Sequence, residues 1–223
     1  YEGDYYHPTG IPHKSYWGGG QGEVIADFDG DGDDEFFSLL FGDQQFRVAT
    51  REEGSRYRWS SQNGEQQLAD YFDIFGVDAE NLDDDPAFEL IVIDTSALCW
   101  KAVSANPWTW ERHDELLEGL YFPDESRMAI FGDYDGDGLL NGMFKVNGPP
   151  YLELWERDSE GTWAMSEFPA PPNPLAGYFL HDGDFDHDGD TDVCLSNYLY
   201  SIFYENTNPG MALREIPDAY YFP

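Results

Sequence analysis

The sequence predicts an all-β fold, a four-bladed β-propeller, on three observations. One acidic stretch, Asp27-Phe28-Asp29-Gly30-Asp31-Gly32-Asp33-Asp34-Glu35, is written four times along the chain. Short apolar runs of strand length flank every copy. A large apolar residue, Trp59, Trp110, Trp163 or Leu213, then follows each loop start at a nearly constant distance. The loops start at Asp27, Asn81, Asp133 and Asp184, a spacing close to the period of a propeller blade.

Within each repeat the elements come in one order. A short apolar strand enters the loop: Val24-Ile25-Ala26, Asp73-Ile74-Phe75, Met128-Ala129-Ile130-Phe131 and Tyr178-Phe179-Leu180. A second leaves it: Phe36 to Phe41, Leu90 to Ile93, Met143 to Val146 and Val193 to Leu195. Continuous apolar runs of this length suit strands covered on both faces. The third strand alternates, with Phe46, Val48 and Thr50 on one side in the first repeat, and Leu152, Leu154 and Glu156 in the third. Turn residues follow at Glu53-Gly54, Asn106-Pro107, Glu160-Gly161 and Pro209-Gly210, and the fourth strand carries the recurring Trp or Leu. Only Asp114 to Leu120 reads as helix, and it is short.

These elements divide the chain into an arm, four blades and a tail. Residues 1–21 form a Tyr-, Pro- and Gly-rich arm outside the repeat. The blades span about 22–67, 68–121, 122–174 and 175–217, and 218–223 form an aromatic tail. Tyr220-Tyr221-Phe222-Pro223 repeats the pattern of Leu120-Tyr121-Phe122-Pro123, so the chain is expected to hold four whole blades. A first residue of Tyr1 in place of Met leads us to expect a processed or trimmed chain.

The loop chemistry points to a metal. Side chains at loop positions 1, 3, 5 and 9 are Asp27, Asp29, Asp31 and Glu35; Asn81, Asp83, Asp85 and Glu89; Asp133, Asp135, Asp137 and Asn141; and Asp184, Asp186, Asp188 and Asp192. Asp and Gly are favoured in turns, which accounts for one such loop. Four in register call for a shared ligand, and a set of hard oxygens selects calcium ahead of zinc or copper. An EF-hand is excluded, because it needs a bidentate acid at position 12, where this chain has Ser38, Val92, Phe144 and Leu195. The second loop is the irregular one: it starts with Asn81 and has Pro86 where the others have Gly32, Gly138 and Gly189. Proline locks φ at a negative value, so a position that needs positive φ is distorted there. Three to four structural calcium ions are therefore expected.

Composition narrows the partners. With 45 acids against 11 bases the formal charge is −34, and hydrophobic content is 41%. Such a surface excludes nucleic acid and anionic membrane as ligands, since both need basic patches; a salt-adapted protein would show the same balance. No apolar run approaches the roughly 18 residues of a membrane span, so no membrane insertion is expected. Weak calcium sites, about 10⁻⁴ to 10⁻³ M in extracellular modules, stand empty in a calcium-poor cytosol. An extracellular or cell-surface location is the expectation. Cys99 and Cys194 permit one disulfide or two buried thiols. No H-E-x-x-H, G-x-S-x-G or phosphate loop occurs, and none of the five histidines marks a catalytic centre.

The loop D-x-D-G-D-G-x-x-E, with a small residue before it (Ala26, Gly132, Gly183) and Phe131-Gly132 ahead of the third copy, resembles the FG-GAP or VCBS repeats. These occur in integrin α-subunit propellers and in bacterial extracellular proteins, and the likeness covers residues 22–217. It implies that positions 1, 3, 5 and 9 bind calcium through side chains and position 7 (Asp33, Ala87, Leu139, Asp190) through its carbonyl. This chain departs from the family in lacking the Gly-Ala-Pro element and in having four blades rather than seven or so. The function implied is a non-catalytic recognition or adhesion module for a glycan or protein ligand. The alternatives are a structural subunit that joins copies of itself through its aromatic termini (Tyr5, Tyr6, Tyr16, Trp17, Tyr220, Tyr221, Phe222), and a polysaccharide-active enzyme.

Overall fold

The computed structural model describes residues 22–40, 45–52, 56–60, 76–83, 85–93, 97–105, 107–120, 128–146, 152–166, 179–183, 190–196, 201–206 and 211–214. The N-terminal arm, the aromatic tail and the Pro169–Pro174 stretch lie outside them. Among the described residues, sixteen strands form four separate sheets, each an antiparallel meander of four consecutive strands. The first sheet holds β1 (Glu23–Ala26), β2 (Glu35–Leu40), β3 (Gln45–Glu52) and β4 (Arg56–Ser60). The second holds β5 (Gly76–Glu80), β6 (Glu89–Ile93), β7 (Ala97–Ala105) and β8 (Trp108–Arg112). The third holds β9 (Met128–Gly132), β10 (Asn141–Lys145), β11 (Leu152–Arg157) and β12 (Trp163–Ser166). The fourth holds β13 (Phe179–Gly183), β14 (Asp192–Ser196), β15 (Ser201–Asn206) and β16 (Met211–Arg214). A 3-10 turn over Asp114–Leu117 follows the second sheet and buries Leu117.

β5 is Gly76–Glu80, the expected Asp73–Phe75 run lying outside the described residues, and β13 runs on from Phe179 through His181 and Asp182 to Gly183, past the expected end at Leu180. Both strands carry a buried aspartate that breaks the apolar pattern. Asp78 is fully buried; its Oδ1 accepts the Ala79 amide at 2.8 Å and its Oδ2 the Phe131 amide of the third sheet at 2.7 Å. Asp182 accepts the Tyr134 hydroxyl at 3.0 Å. Buried carboxylates are tolerated when donors meet them. The leaving strands start one residue or more earlier than expected, so loop position 9 (Glu35, Glu89, Asn141, Asp192) belongs to the second strand and is buried.

Among the described residues, three apolar cores sit between successive sheets. Val24, Ala26, Phe37 and Phe46 of the first sheet meet Val77, Leu90, Trp100 and Trp110 of the second. Ile91, Ile93 and Cys99 on the other face of the second sheet meet Ala129, Phe131 and Phe144 of the third. Ile130, Met143 and Leu154, on the third sheet's opposite face, meet Leu180, Val193, Leu195 and Tyr204 of the fourth. The two-residue period of a strand sorts these sets onto opposite faces. Three residues before the loop, Val24, Asp78 and Ile130 face the following sheet; two before it, Ala79, Phe131 and Asp182 face the preceding one. Each interface has a polar tie beside the loops: the Phe88 amide to the Asp27 carbonyl at 2.8 Å, the Phe131 amide to Asp78, and Tyr134 to Asp182. Cys99 and Cys194 are buried on different sheets and form no disulfide.

Gly142 shows how tightly the second interface is filled. A Cβ there would lie 2.9 Å from the Phe144 ring and 3.1 Å from that of Phe131, two fully buried rings in edge-to-face contact at 5.9 Å. Gly142→Ala is expected to lower stability by about 1–3 kcal/mol through overpacking. Urea unfolding checks this: the midpoint should fall while the slope stays constant.

Candidate cation-binding loops

The acidic loops join the first and second strands of each sheet, where β1 pairs with β2, β5 with β6, and β9 with β10. In the first loop, Asp27 folds the chain around its own carboxylate. Its Oδ1 accepts the amides of Gly30 at 2.7 Å and Asp31 at 3.1 Å, and its Oδ2 that of Gly32 at 2.9 Å. Asp133 in the third loop accepts the amides of Gly136, Asp137 and Gly138 at 2.7, 3.1 and 2.9 Å. Positive φ makes glycine necessary at position 6, with Gly32 at +93° and Gly138 at +83°. The amide of position 7 donates to the position 5 carboxylate in all three described loops: Asp33 to Asp31, Ala87 to Asp85, and Leu139 to Asp137.

Position 2 does two jobs that the sequence reading missed. Its amide donates to the side chain at position 9: Phe28 to Glu35 at 3.1 Å, Leu82 to Glu89 at 2.8 Å, and Tyr134 to Asn141 at 2.6 Å. Its side chain enters the interface with the next sheet, where Phe28 and Tyr134 are fully buried and Leu82 is half-buried. A signal was present, since position 2 is apolar or aromatic in every copy, Phe185 included.

Among the described residues, carboxylate oxygens converge at three places. Asp27, Asp29 and Glu35 bring one oxygen each within 4.8 Å of one another, as do Asp83, Asp85 and Glu89, and Asp133, Asp135 and Asp137. Two oxygens on one calcium, each about 2.3–2.6 Å from it, stand at most about 5 Å apart, so these clusters fit a hard cation. Asp31 in the first loop lies outside its converging trio. Of the fourth loop, Asp184, Asp186 and Asp188 lie outside the described residues. Asp192 is buried, and its Oδ1 accepts the Asn206 amide at 2.9 Å.

Burial and mutual repulsion are visible in the acidities. Glu35 is pushed up to about 9, first by burial and then by the charge of Asp29. Asp135 is raised to about 6 by burial, with Asp137 and Glu156 adding repulsion. Asp29 is also raised, by burial first and by Asp31 next.

The second loop is built differently. Asn81 gathers no loop amides among the described residues; its Nδ2 donates to the Asp85 carbonyl at 2.6 Å. Pro86 supplies no amide at position 6 and cannot take the positive φ of Gly32 and Gly138. The Lys101 ammonium sits among the acids instead, 2.5 Å from Asp83, 2.5 Å from Asp85 and 3.5 Å from Glu89. Hydrogen bonds from Lys101 hold Asp83 below the usual carboxylate range, whereas burial keeps Glu89 above it.

The Glu35 shift carries a pH dependence. Without metal, the folded first loop keeps this proton between pH 4.5 and about 9 while the unfolded chain has released it. The folded state then binds more protons, so its stability falls as pH rises through that window. Glu35→Gln should flatten this part of the stability profile, measured by denaturant titration in chelator. An equal slope in both proteins would assign the dependence to other groups. No known family model matches the chain, and no curated protein matches it, so the functional reading rests on the geometry of these loops.

Proposed function

We propose that this chain is a calcium-stabilised four-bladed β-propeller of the FG-GAP or VCBS kind. It serves outside the cell as a non-catalytic recognition or adhesion module for a glycan or protein ligand. The observation that carries the reading is the match between the first and third loops, which belong to different sheets. The position 1 carboxylate meets the amides of positions 4, 5 and 6 at 2.7, 3.1 and 2.9 Å in both loops. The position 5 amide also meets the position 3 carboxylate in both, at 3.2 Å in the first and 3.3 Å in the third. Such agreement is expected of a shared ligand-holding design. Calcium is favoured over magnesium because the donors are mainly flexible carboxylates on a loop, not a rigid octahedral set.

Ring closure extends the register already described. His181 stands three residues before its loop, the position from which Val24, Asp78 and Ile130 face the following sheet. Ile25 stands two before, where Ala79, Phe131 and Asp182 face the preceding one. Ile25 and Ala49 on the first sheet and Cys194 on the fourth are buried, although they belong to none of the three cores. Packing these two faces on each other would complete the propeller and cover the two sheet faces that the three cores leave over.

The metal acts on stability in this reading, because it binds the folded loops and not the unfolded chain. Each independent site contributes about 2.7 kcal/mol at free calcium 100-fold above its Kd. Chelation should lower the melting temperature by well over ten degrees, and added calcium should restore it. An unchanged melt would reduce the loops to acidic turns. For the ligand, a glycan array probed with and without calcium should show retention that chelator abolishes. Release of shortened or unsaturated products from a polysaccharide would replace the recognition module by an enzyme.

A further inference from the structure

We propose that Lys101 is the resident cation of the second loop, an ammonium built into the fold where the first and third loops converge carboxylates alone. The chain contains only three lysines, Lys14, Lys101 and Lys145, against 45 acids. One of them is placed among Asp83, Asp85 and Glu89, within 2.5 Å of the first two and 3.5 Å of the third. Its side chain is 20% exposed and Glu89 is fully buried, whereas Asp83 and Asp85 remain 34% and 44% exposed, so the cluster is half open to water. It is also the charge that answers Glu89 Oε1, a buried oxygen that accepts no hydrogen bond.

The register explains why this residue reaches the loop. β6 pairs with β7 so that Leu90 opposes Trp100, which puts Lys101 across from Glu89, loop position 9. On the third sheet the residue across from position 9 is Glu156, paired with Asn141. On the first and fourth sheets the corresponding residues are Thr50 and Glu205, so the second sheet alone places a base at this site. Where the second loop loses its cupping aspartate to Asn81 and its position 6 amide to Pro86, that site holds a base. Where the third loop loses an acid to Asn141, that site holds an acid, whose charge is felt by Asp135. The cation chemistry of the second loop is then decided by the loop and by one residue on the third strand of its sheet. The second sheet, packed on both its neighbours, is freed from any dependence on dissolved metal.

The test uses the full chain and its variants Lys101→Met, Lys101→Arg and Asp83→Asn/Asp85→Asn, with calcium as the only added ligand. In chelator, Lys101→Met should melt about 5 °C or more below the parent, since it strands the buried Glu89 carboxylate and leaves Asp83 and Asp85 to repel it. Lys101→Arg, which keeps the charge, should stay closer to the parent than Lys101→Met does; if Lys101→Met does not fold at all while Lys101→Arg does, the same conclusion follows. Equilibrium dialysis should count as many calcium ions on the Asp83→Asn/Asp85→Asn protein as on the parent. Equal melting of Lys101→Met and parent in chelator would overturn the proposal, as would the loss of one bound calcium in the double variant. The dialysis arm rests on the calcium reading given above, whereas the chelator melts do not. A parent that binds no calcium would therefore end that reading and leave Lys101 to be decided by the melts.

Discussion

One hydrogen bond recurs in every described loop and ties its chemistry to the packing: the position 2 amide to the side chain at position 9. It fastens the end of the first strand to the start of the second across the turn between them. By fixing that amide inward it also directs the position 2 side chain into the space between sheets. Phe28 is thereby set against Trp110 of the next sheet, with ring centroids 5.5 Å apart. Loop conformation and interface packing are consequently linked through one pair of residues. Opening of the first or third loop withdraws a buried aromatic ring, and burial of such a ring is worth about 1.5–3 kcal/mol.

Concentrated negative charge is the constraint these loops must meet. Carboxylates within 4.8 Å of one another repel strongly once partly withdrawn from water. The three described loops answer differently. The first holds all four acids, and burial of Glu35, with the charge of Asp29 second, pushes that carboxyl up to about 9. Lysine is the counterion of the second. The third gives up one charge at Asn141, whose amide oxygen still accepts the Tyr134 amide, and has Glu156 nearby. One backbone design thus carries three electrostatic arrangements.

Buried polar groups serve the interfaces as well. Asp78 and Asp182 interrupt strands that would otherwise read as apolar, and each receives a donor from the third sheet. Such bonds have direction, which apolar packing lacks. They set the height at which one sheet sits against the next and so keep successive loops at a common edge. Between the first and second loops the Phe88 amide and the Asp27 carbonyl make the corresponding tie, and Pro86 and Ala87 lie close enough to touch a Cβ placed on Gly30.

The four-fold repeat, the four strands of each repeat and the positions of the acids are legible along the chain because they are local: turn chemistry, strand-length apolar runs and a fixed spacing. The irregularity of the second loop is legible for the same reason, since the demands of Pro86 on its own φ need no distant contact. What fills that loop is not, because Lys101 is brought to Glu89 by pairing between β6 and β7. The buried aspartates of β5 and β13 escape a linear reading on similar grounds. They accept from Phe131 and Tyr134, donors 53 and 48 residues away, and a pattern read along one strand cannot include a partner on another sheet.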